Sequence, residues 1–219
     1  MVPIISIIGK SKSGKTTLIE RLVPELKSRG YKVATIKHTA HMADIDIQGK
    51  DTWRHIQAGS EATAISSPHG IILFKTTKQE ASIEQVMRFF NGEYDIVIAE
   101  GFKQSNAPKI EVHRKQIGIL LSKVENIIAI VTDEPLPTNI RQFHFTDTAN
   151  LSDMIETEII IPQRTGISAY VNNMSIQFNA LQREMIINTL LAIASSIKGK
   201  DKIDSIDISI SRIINRDHH

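Results

Sequence analysis

The sequence predicts an α/β fold, in which a mainly parallel sheet is flanked by helices and a small α+β appendage follows. Three apolar runs indicate the sheet, because near-continuous hydrophobicity is typical of strands covered on both faces. These runs are Ile4 to Ile8, Asp95 to Phe102 and Asn126 to Asp133. A helical stripe from Leu18 to Leu26 separates the first run from a predicted strand at Tyr31 to Lys37. Together they form a β-α-β unit, whose crossover should be right-handed.

Composition narrows the classes of function. The chain has 219 residues, is 41% hydrophobic and contains no cysteine, which excludes disulfides and thiolate metal sites and favours the cytoplasm. A net charge of +2 argues against general nucleic-acid binding, and no apolar run is long enough to predict a membrane span. Residues 1–60 hold ten Lys or Arg against five Asp or Glu. This local excess suits a small polyanion, or else these lysines only solvate the ends of helices and strands.

The stretch after the first strand has the residue types of a phosphate cradle. Residues 9–16 read Gly-Lys-Ser-Lys-Ser-Gly-Lys-Thr and lie between the strand and a helical pattern that begins near Thr17. Glycines allow a tight turn, backbone N–H groups and a helix N-terminus bind the anion, the lysine reaches the β- and γ-phosphates, and the threonine can ligate Mg²⁺. This pattern predicts a P-loop NTPase fold. Its expected nucleotide-binding residues are Gly9, Lys10, Ser11, Lys12, Ser13, Gly14, Lys15 and Thr16.

The segment from Lys37 to Arg54 has no sustained helical or strand period, and it follows the second strand, where open α/β sheets bind ligands. We interpret it as a nucleotide-responsive loop. Asp46 would reach Mg²⁺ directly or through water as a metal ligand and catalytic group, and Lys37, Lys50 or Arg54 would meet phosphates. Two alternatives remain: a transition-metal site formed by His38, His41 and the neighbouring aspartates, or a polar surface loop.

Further elements follow in order along the chain. Short strands are predicted at Glu61 to Ser66 and at Gly70 to Phe74, and a helix begins at Ser82 and ends at Asn91-Gly92. Lys109 to His113 reads as a strand at the sheet margin. A last short strand at Phe143 to Phe145 and a helix from Asp147 to Thr157 complete the main domain.

Two acidic residues stand at predicted strand ends. Glu100 follows a buried run and precedes Gly101. This is the position of the acid in the second metal-binding motif of P-loop proteins, where a strand ends beside the phosphate loop. It would contact Mg²⁺ through water or orient the attacking water, or it would serve only as a capping or ion-pairing carboxylate. Asp133 ends another buried run, and its carboxylate suits the N1–H and 2-amino edge of guanine. The Asn-Lys-x-Asp signature of many guanine readers is absent, so spacing alone does not separate GTP from ATP.

The organisation changes after about residue 160, so we expect a P-loop domain at 1–160 and an appendage at 161–219. Two short strands around Asn172-Asn173 predict a hairpin, and Asn179 can cap a long helix that ends at Lys198-Gly199-Lys200. Alternating isoleucines from Ile203 to Ile210 predict a final strand. We interpret the appendage as a module for partner binding or dimer formation, or as an extension packed on the main sheet.

Several motifs together resemble the molybdopterin-guanine dinucleotide biosynthesis adaptor protein B (MobB) family of small P-loop GTP-binding proteins. Besides the P-loop, the resemblance rests on a Lys-His-x-x-His-x-x-Asp-x-Asp run from Lys37 and a Glu-Gly-Phe-Lys run from Glu100. It also includes Pro108-Lys109-Ile110 and the Val-Thr-Asp-Glu-Pro stretch around Asp133. The similar region covers roughly residues 3 to 158, and the added tail looks like that of longer, archaeal-type members.

The resemblance implies a cytoplasmic GTP-binding homodimer with weak, Mg²⁺-dependent GTPase activity. Such proteins assist the guanylyltransferase that joins GMP to molybdopterin, or help to deliver the finished molybdopterin guanine dinucleotide. By the same resemblance, Gly14, Lys15, Thr16 and Thr17 would hold phosphates, and Thr16 and Glu100 would face Mg²⁺. The loop from His38 to Asp51 would lie over the nucleotide.

Two other functions use the same P-loop. A small-molecule kinase would transfer the γ-phosphate to an acceptor near His38 to Arg54, but the sequence shows no arginine-rich lid for that transfer. A metallochaperone NTPase would bind metal through His38 and His41, but the sequence has neither a cysteine nor a histidine-rich tract.

Overall fold

A computed structural model describes residues 2–39, 51–90, 93–163, 169–171, 174–176, 178–198 and 206. The strands, in chain order, are β1 (Ile4–Ile8), β2 (Val33–Lys37), β3 (Ala62–Ser67), β4 (Gly70–Lys75), β5 (Ile96–Glu100), β6 (Lys109–Val112), β7 (Ile127–Thr132), β8 (Arg141–His144), β9 (Ala169–Val171) and β10 (Met174–Ile176). The helices are α1 (Lys15–Ser28), α2 (Asp51–Gln57), α3 (Ile83–Met87), α4 (Thr148–Ile155) and α5 (Ala180–Lys198). Short 3₁₀ and π turns occupy Arg88–Phe90, Lys115–Ile117, Glu156–Ile160 and Ile161–Gln163.

Six parallel strands form the main sheet in the order β2-β5-β1-β6-β7-β8. One face packs against α1 and α4 through a cluster that includes Leu18, Leu22 and Leu151. The other face carries a second cluster, to which α3 contributes Ile83 and Met87. The prediction of a mainly parallel sheet flanked by helices is therefore confirmed, and the sheet order places the end of β1 in the middle of its carboxyl edge.

One strand lies elsewhere than predicted. β6 is not at the sheet margin, because it pairs with β1 on one side and β7 on the other. Its polar residues suggested an edge, yet Lys109 is only 1% exposed and Glu111 only 2%. Lys109 is satisfied inside the protein, since its Nζ donates to the carbonyl oxygens of Ser105 (2.5 Å), Ala107 (3.1 Å) and Glu125 (3.0 Å).

Arg29, just after α1, joins this helix to α4 and the turn after it through ion pairs. Its guanidinium lies 2.5 Å from Asp153 and 3.0 Å from Glu156, and Tyr31 donates a hydrogen bond of 2.6 Å to Glu156. The hydrogen bond from the Tyr31 hydroxyl lowers the pKa of Glu156, and the hydrogen bond from Arg29 lowers it further. The helix that follows the phosphate-binding loop is thus fixed at its far end as well as by its apolar stripe.

Two small antiparallel sheets lie apart from the main sheet. The predicted strands at 61–66 and 70–74 form the hairpin β3–β4, which pairs Ala62 with Lys75 and Ser67 with Gly70. In the appendage, β9 and β10 pair as predicted, while the turn residues Asn172-Asn173 lie outside the described residues. Within the ranges given above, no helix is long and apolar enough to cross a membrane.

The appendage helix begins as expected. Asn179 and Gln182 exchange hydrogen bonds, in which Asn179 Oδ1 accepts from the Gln182 N–H at 2.9 Å and Gln182 Oε1 accepts from the Asn179 N–H at 3.0 Å. Two N–H groups of the first turn are satisfied in this way. Of the predicted final strand, Ile203 to Ile210, only residue 206 is described.

Candidate functional site

The loop between β1 and α1 has the backbone of an anion cradle. Helix α1 begins at Lys15, two residues earlier than predicted, and Gly14 precedes it with φ of 98°. Gly9 has φ of 148°, and a Cβ added there would lie 2.5 Å from the Val112 carbonyl oxygen. Both positions therefore require glycine, because a side chain would be strained at either and would collide at Gly9. The N–H groups of the first turn of α1 point into this loop.

The Lys15 ammonium occupies the cradle. Its Nζ donates to the carbonyl oxygen of Lys10 at 2.9 Å and approaches that of Gly9 at 3.4 Å. Burial lowers the pKa of Lys15, the negative charge of Glu100 raises it, and the charges of Lys103 and Lys37 lower it again. A phosphate in the loop would replace the two carbonyl oxygens as the partner of this ammonium.

Thr16 and Glu100 meet at the carboxyl edge of the sheet. The Thr16 hydroxyl donates to Glu100 Oε2 at 3.0 Å. β5 lies next to β1 with Glu100 in register with Ile7, and the Gly101 N–H donates to the Ile7 carbonyl oxygen at 3.0 Å, which fixes the end of the strand beside the loop. A hydroxyl and a carboxylate oxygen are hard oxygen ligands of the kind that Mg²⁺ takes beside a triphosphate.

The remaining predicted loop residues differ in exposure. Ser11, Lys12 and Thr17 are exposed, and Lys10 is half-buried. Ser13 is fully buried, and its Oγ has no hydrogen-bond partner among the described residues. The sequence pattern did not predict this burial.

The end of β2 brings two more predicted residues to the same edge. Lys37 is in register with Glu100 across the β2–β5 pair, and the His38 N–H donates to the Glu100 carbonyl oxygen at 2.9 Å. His38 Nε2 also pairs with Glu80, and its ring lies 4.5 Å from that of Phe102. A Cβ on Gly101 would lie only 2.9 Å from the His38 Cβ, so the Glu-Gly-Phe stretch and His38 pack closely.

Part of the predicted nucleotide-responsive loop lies outside the described residues, namely His41, Asp46 and Lys50. Arg54 lies in α2 and is 3.8 Å from Asp51, with both side chains largely exposed. Within the described part of the chain, no three His, Cys, Asp or Glu side chains form a group that could hold a metal ion. The roles of Asp46 and of the His38–His41 pair remain predictions.

Asp133 lies beyond β7, at the side of the cradle away from Glu100. Its Oδ1 accepts the Lys115 N–H at 2.8 Å, and its Oδ2 is 3.5 Å from Arg114 Nη1. The Lys115 N–H, more than the charge of Arg114, lowers the pKa of Asp133 and so keeps its carboxylate anionic. An anionic acceptor at this position is what a guanine edge would need.

Sequence reasoning missed Arg114 and Phe145. The Arg114 guanidinium lies 4.0 Å above the Phe145 ring, a cation–π contact. A Cβ on Gly14 would lie 3.4 Å from atoms of both side chains, so the pair stands directly against the start of α1. The available signal was positional, because Arg114 lies two residues beyond β6 and Phe145 directly follows β8.

Glu111 and His113 were also missed. Both side chains are buried. Glu111 in β6 alternates with the residues packed under α1, and His113, which directly follows the strand, continues this alternation. Glu111 Oε1 accepts the Leu121 N–H at 2.6 Å, whereas Glu111 Oε2 has no partner among the described residues. Burial raises the pKa of Glu111, and hydrogen bonding by the Leu121 N–H opposes this.

Comparison with known proteins gives consistent results. The family model of molybdopterin guanine dinucleotide synthesis protein B (MobB) matches residues 4–133. The molybdopterin-guanine dinucleotide biosynthesis adapter protein of Haemophilus influenzae is 34% identical over 157 residues, covering 71% of this chain and 88% of the relative. That of Escherichia coli is 30% identical over 161 residues, covering 71% and 92%. The crystal structure of Bacillus subtilis MobB is similar with a TM-score of 0.57 at 25% identity, covering 72% of this chain and 98% of that one.

Proposed function

This chain belongs to the molybdopterin guanine dinucleotide synthesis protein B (MobB) family, and we propose that it is a GTP-binding adapter of molybdenum cofactor biosynthesis. In this role it assists the formation or delivery of molybdopterin guanine dinucleotide and hydrolyses GTP slowly with Mg²⁺. The observation that carries the proposal is the convergence of Lys15, Thr16 and Glu100 on one glycine-bounded loop. An ammonium, a hydroxyl and a carboxylate at a helix N-terminus suit a triphosphate and its metal.

Each of these residues has a distinct task in the proposed reaction. Loop N–H groups and Lys15 neutralise the β- and γ-phosphates, and the Thr16 hydroxyl ligates Mg²⁺ when the ion is bound. Glu100 either shares this Mg²⁺ through water or orients the attacking water.

Asp133 supports guanine over adenine. Its anionic carboxylate accepts the N1–H and 2-amino donors of guanine, which adenine does not offer as a pair. In the structure one oxygen already accepts the Lys115 N–H, and Arg114 lies beside the other, so the carboxylate is held in place before a base arrives. We therefore propose GTP rather than ATP as the nucleotide.

Replacing Glu100 with glutamine should separate hydrolysis from binding. We expect Glu100→Gln to lower the rate of GTP hydrolysis at least about tenfold, because the amide cannot act as a base toward water. GTP affinity should change by less than about threefold, because most phosphate contacts remain. Single-turnover hydrolysis and equilibrium titration with GTP and ATP measure the two effects.

The matched control is Glu20→Gln, an exposed carboxylate on α1, which should leave both quantities unchanged. If Glu100→Gln weakens binding more than it slows hydrolysis, Glu100 has only a structural role. Tighter binding of ATP than of GTP would contradict the assignment of the nucleotide.

We also propose a homodimer that forms through the hairpin β3–β4. Four large apolar side chains of this hairpin are substantially exposed: Ile65 (44%), Ile71 (76%), Ile72 (50%) and Leu73 (49%). Cross-strand pairing places Ile65 and Ile72 on one face of the hairpin, and Ile71 and Leu73 lie on the other face. Exposed apolar side chains on both faces of a hairpin outside the main sheet mark an interaction surface. Sedimentation velocity of the full chain should show a dimer that Ile71→Asp converts to a monomer, and a monomer before substitution would contradict the proposal.

The proposed protein partner is the guanylyltransferase of molybdenum cofactor assembly, in the cytoplasm. Its capture by the full chain should increase with a non-hydrolysable GTP analogue. If the amount of partner captured is the same with and without the analogue, partner binding does not depend on the nucleotide in the P-loop.

A further inference from the structure

A groove of about 490 Å³ is lined by residues that follow β6 and β7 in the chain, near the carboxyl edge of the main sheet. Its apolar wall consists of Ile119, Leu120, Leu136 and Pro137, and His113 lies within it. His113 continues the strand geometry of β6, because its N–H donates to the Val131 carbonyl oxygen at 2.8 Å. The volume is in the range of small-molecule sites, about 300–1,000 Å³, and such sites combine apolar walls with a few fixed polar groups.

The fixed polar group of the groove is the carboxylate of Glu134. His113 is only 5% exposed, and its Nε2 lies 3.1 Å from Glu134 Oε1. The Glu134 backbone is held at both ends by Thr132, whose hydroxyl donates to the Glu134 carbonyl oxygen at 2.9 Å and accepts its N–H at 3.2 Å. Glu134 Oε2 accepts no hydrogen bond from any residue that the structure describes. The Glu134 carboxylate therefore lies at an apolar groove, and its Oε2 can accept a hydrogen bond from a ligand.

The groove adjoins a tight gap, too narrow for a water molecule, that borders the phosphate-binding loop. His113 also borders this gap, which it shares with Lys10, Ser13 and Glu111. Two fully buried atoms in this gap, Ser13 Oγ and Glu111 Oε2, have no partner among the described residues. The other oxygen of Glu111 accepts the Leu121 N–H at 2.6 Å, and Leu121 directly follows Leu120 of the groove wall. The groove and the gap share His113, Gly118 and Ile119, so a ligand in the groove would lie next to residues that border the phosphate-binding loop.

These features favour a flat heterocycle with adjacent N–H donors on one edge and a phosphate on the other side. The pyrimidinone edge of a pterin has such donors, and so does guanine. Guanine is already matched by Asp133, whose contacts are with Arg114 and Lys115 beside Phe145 on the α1 side. Glu134 instead lies beside His113, so the two carboxylates have different neighbours.

We propose that the groove between Ile119 and Leu136 binds the phosphorylated pterin on which the adapter acts, with the Glu134 carboxylate accepting from its pyrimidinone edge. This inference rests on the proposed function and locates its second ligand next to the GTP phosphates. An adapter that holds both ligands across one loop can report the presence of either to a partner enzyme.

The test is titration of the full-length protein with fluorescent pterin-6-carboxylate, with and without a saturating non-hydrolysable GTP analogue. We expect saturable binding in both conditions. Ile119→Asp, at a side chain that is 81% exposed, should weaken it at least tenfold without harming the fold, because it places a charge on the apolar wall. Glu134→Gln should weaken it about tenfold through loss of a charge-assisted hydrogen bond. The matched control Ile161→Asp, at another exposed isoleucine, should bind the pterin like the unchanged protein.

Three results would overturn the proposal. The pterin could fail to bind while GTP binds normally, it could bind Ile119→Asp as tightly as the unchanged protein, or the GTP analogue or guanosine could displace it one for one. The last result would place the probe in the guanine site beside Asp133. GTP affinity is measured in parallel for each variant and should remain unchanged. If the unchanged protein does not bind GTP, the proposed function is refuted instead.

Discussion

Replacing Lys15 with alanine should weaken GTP binding at least about a hundredfold, because it removes the ammonium that contacts the Lys10 carbonyl oxygen inside the phosphate-binding loop. The free energy of unfolding should change little. Burial lowers the pKa of this lysine, so burying its charge costs free energy and the ammonium contributes little to the stability of the fold. Equilibrium titration with GTP and Mg²⁺ measures the first effect, and urea unfolding measures the second.

Lys27→Ala is the matched control, since it removes an exposed lysine from the last turn of the same helix. It should leave GTP affinity unchanged. Unaltered affinity in Lys15→Ala would contradict the assignment of the phosphate site. A large loss of stability in that variant would show that Lys15 serves the fold instead.

The second large effect concerns Lys109, which we expect to be essential to stability rather than to nucleotide chemistry. Its ammonium joins the segment after Glu100 to the segment before β7, through the carbonyl oxygens of Ser105, Ala107 and Glu125. Lys109→Met keeps the length of the side chain but leaves these three acceptors without their donor. The free energy of unfolding should fall by about 3 kcal/mol or more, measured by urea unfolding.

Burial lowers the pKa of Lys109, so the charged form is less favoured in the folded protein than in water. The lost hydrogen bonds should nevertheless outweigh the relief of removing this charge, because each stranded carbonyl keeps its desolvation cost. Lys32→Met, at an exposed lysine, is the control and should be nearly neutral. If Lys109→Met is as stable as the unchanged protein, water satisfies the three carbonyl oxygens and the Lys109 ammonium does not stabilise the fold.

Local pattern was sufficient to predict the parallel sheet and the cradle. The apolar runs around Ile7 and Ile98 and the Gly-bounded loop each depend on neighbouring residues only, and the structure places them as expected. The proximity of Thr16 and Glu100 also followed from pattern, because carboxyl ends of adjacent parallel strands meet at one edge.

What pattern could not predict depends on contacts between distant segments. Lys109 and Glu111 suggested an exposed margin, since a charged side chain on a buried strand requires partners that only the fold supplies. The pairing of Arg114 with Phe145, and of His113 with Glu134, likewise joins residues separated by many positions. The hairpin β3–β4 was predicted as two strands, but nothing in its sequence showed that it would stand apart from the main sheet.

In the proposed function, one anion cradle near the start of the chain holds a triphosphate and shares its Mg²⁺ with the acid at the end of β5. The most direct measurement is a crystal structure of the full chain with a non-hydrolysable GTP analogue and Mg²⁺. It should show Lys15 Nζ moved from the carbonyl oxygens of Gly9 and Lys10 to the β- and γ-phosphates, and Mg²⁺ on the Thr16 hydroxyl with Glu100 bound directly or through one water. A nucleotide bound elsewhere, or a metal ion remote from both Thr16 and Glu100, would contradict it.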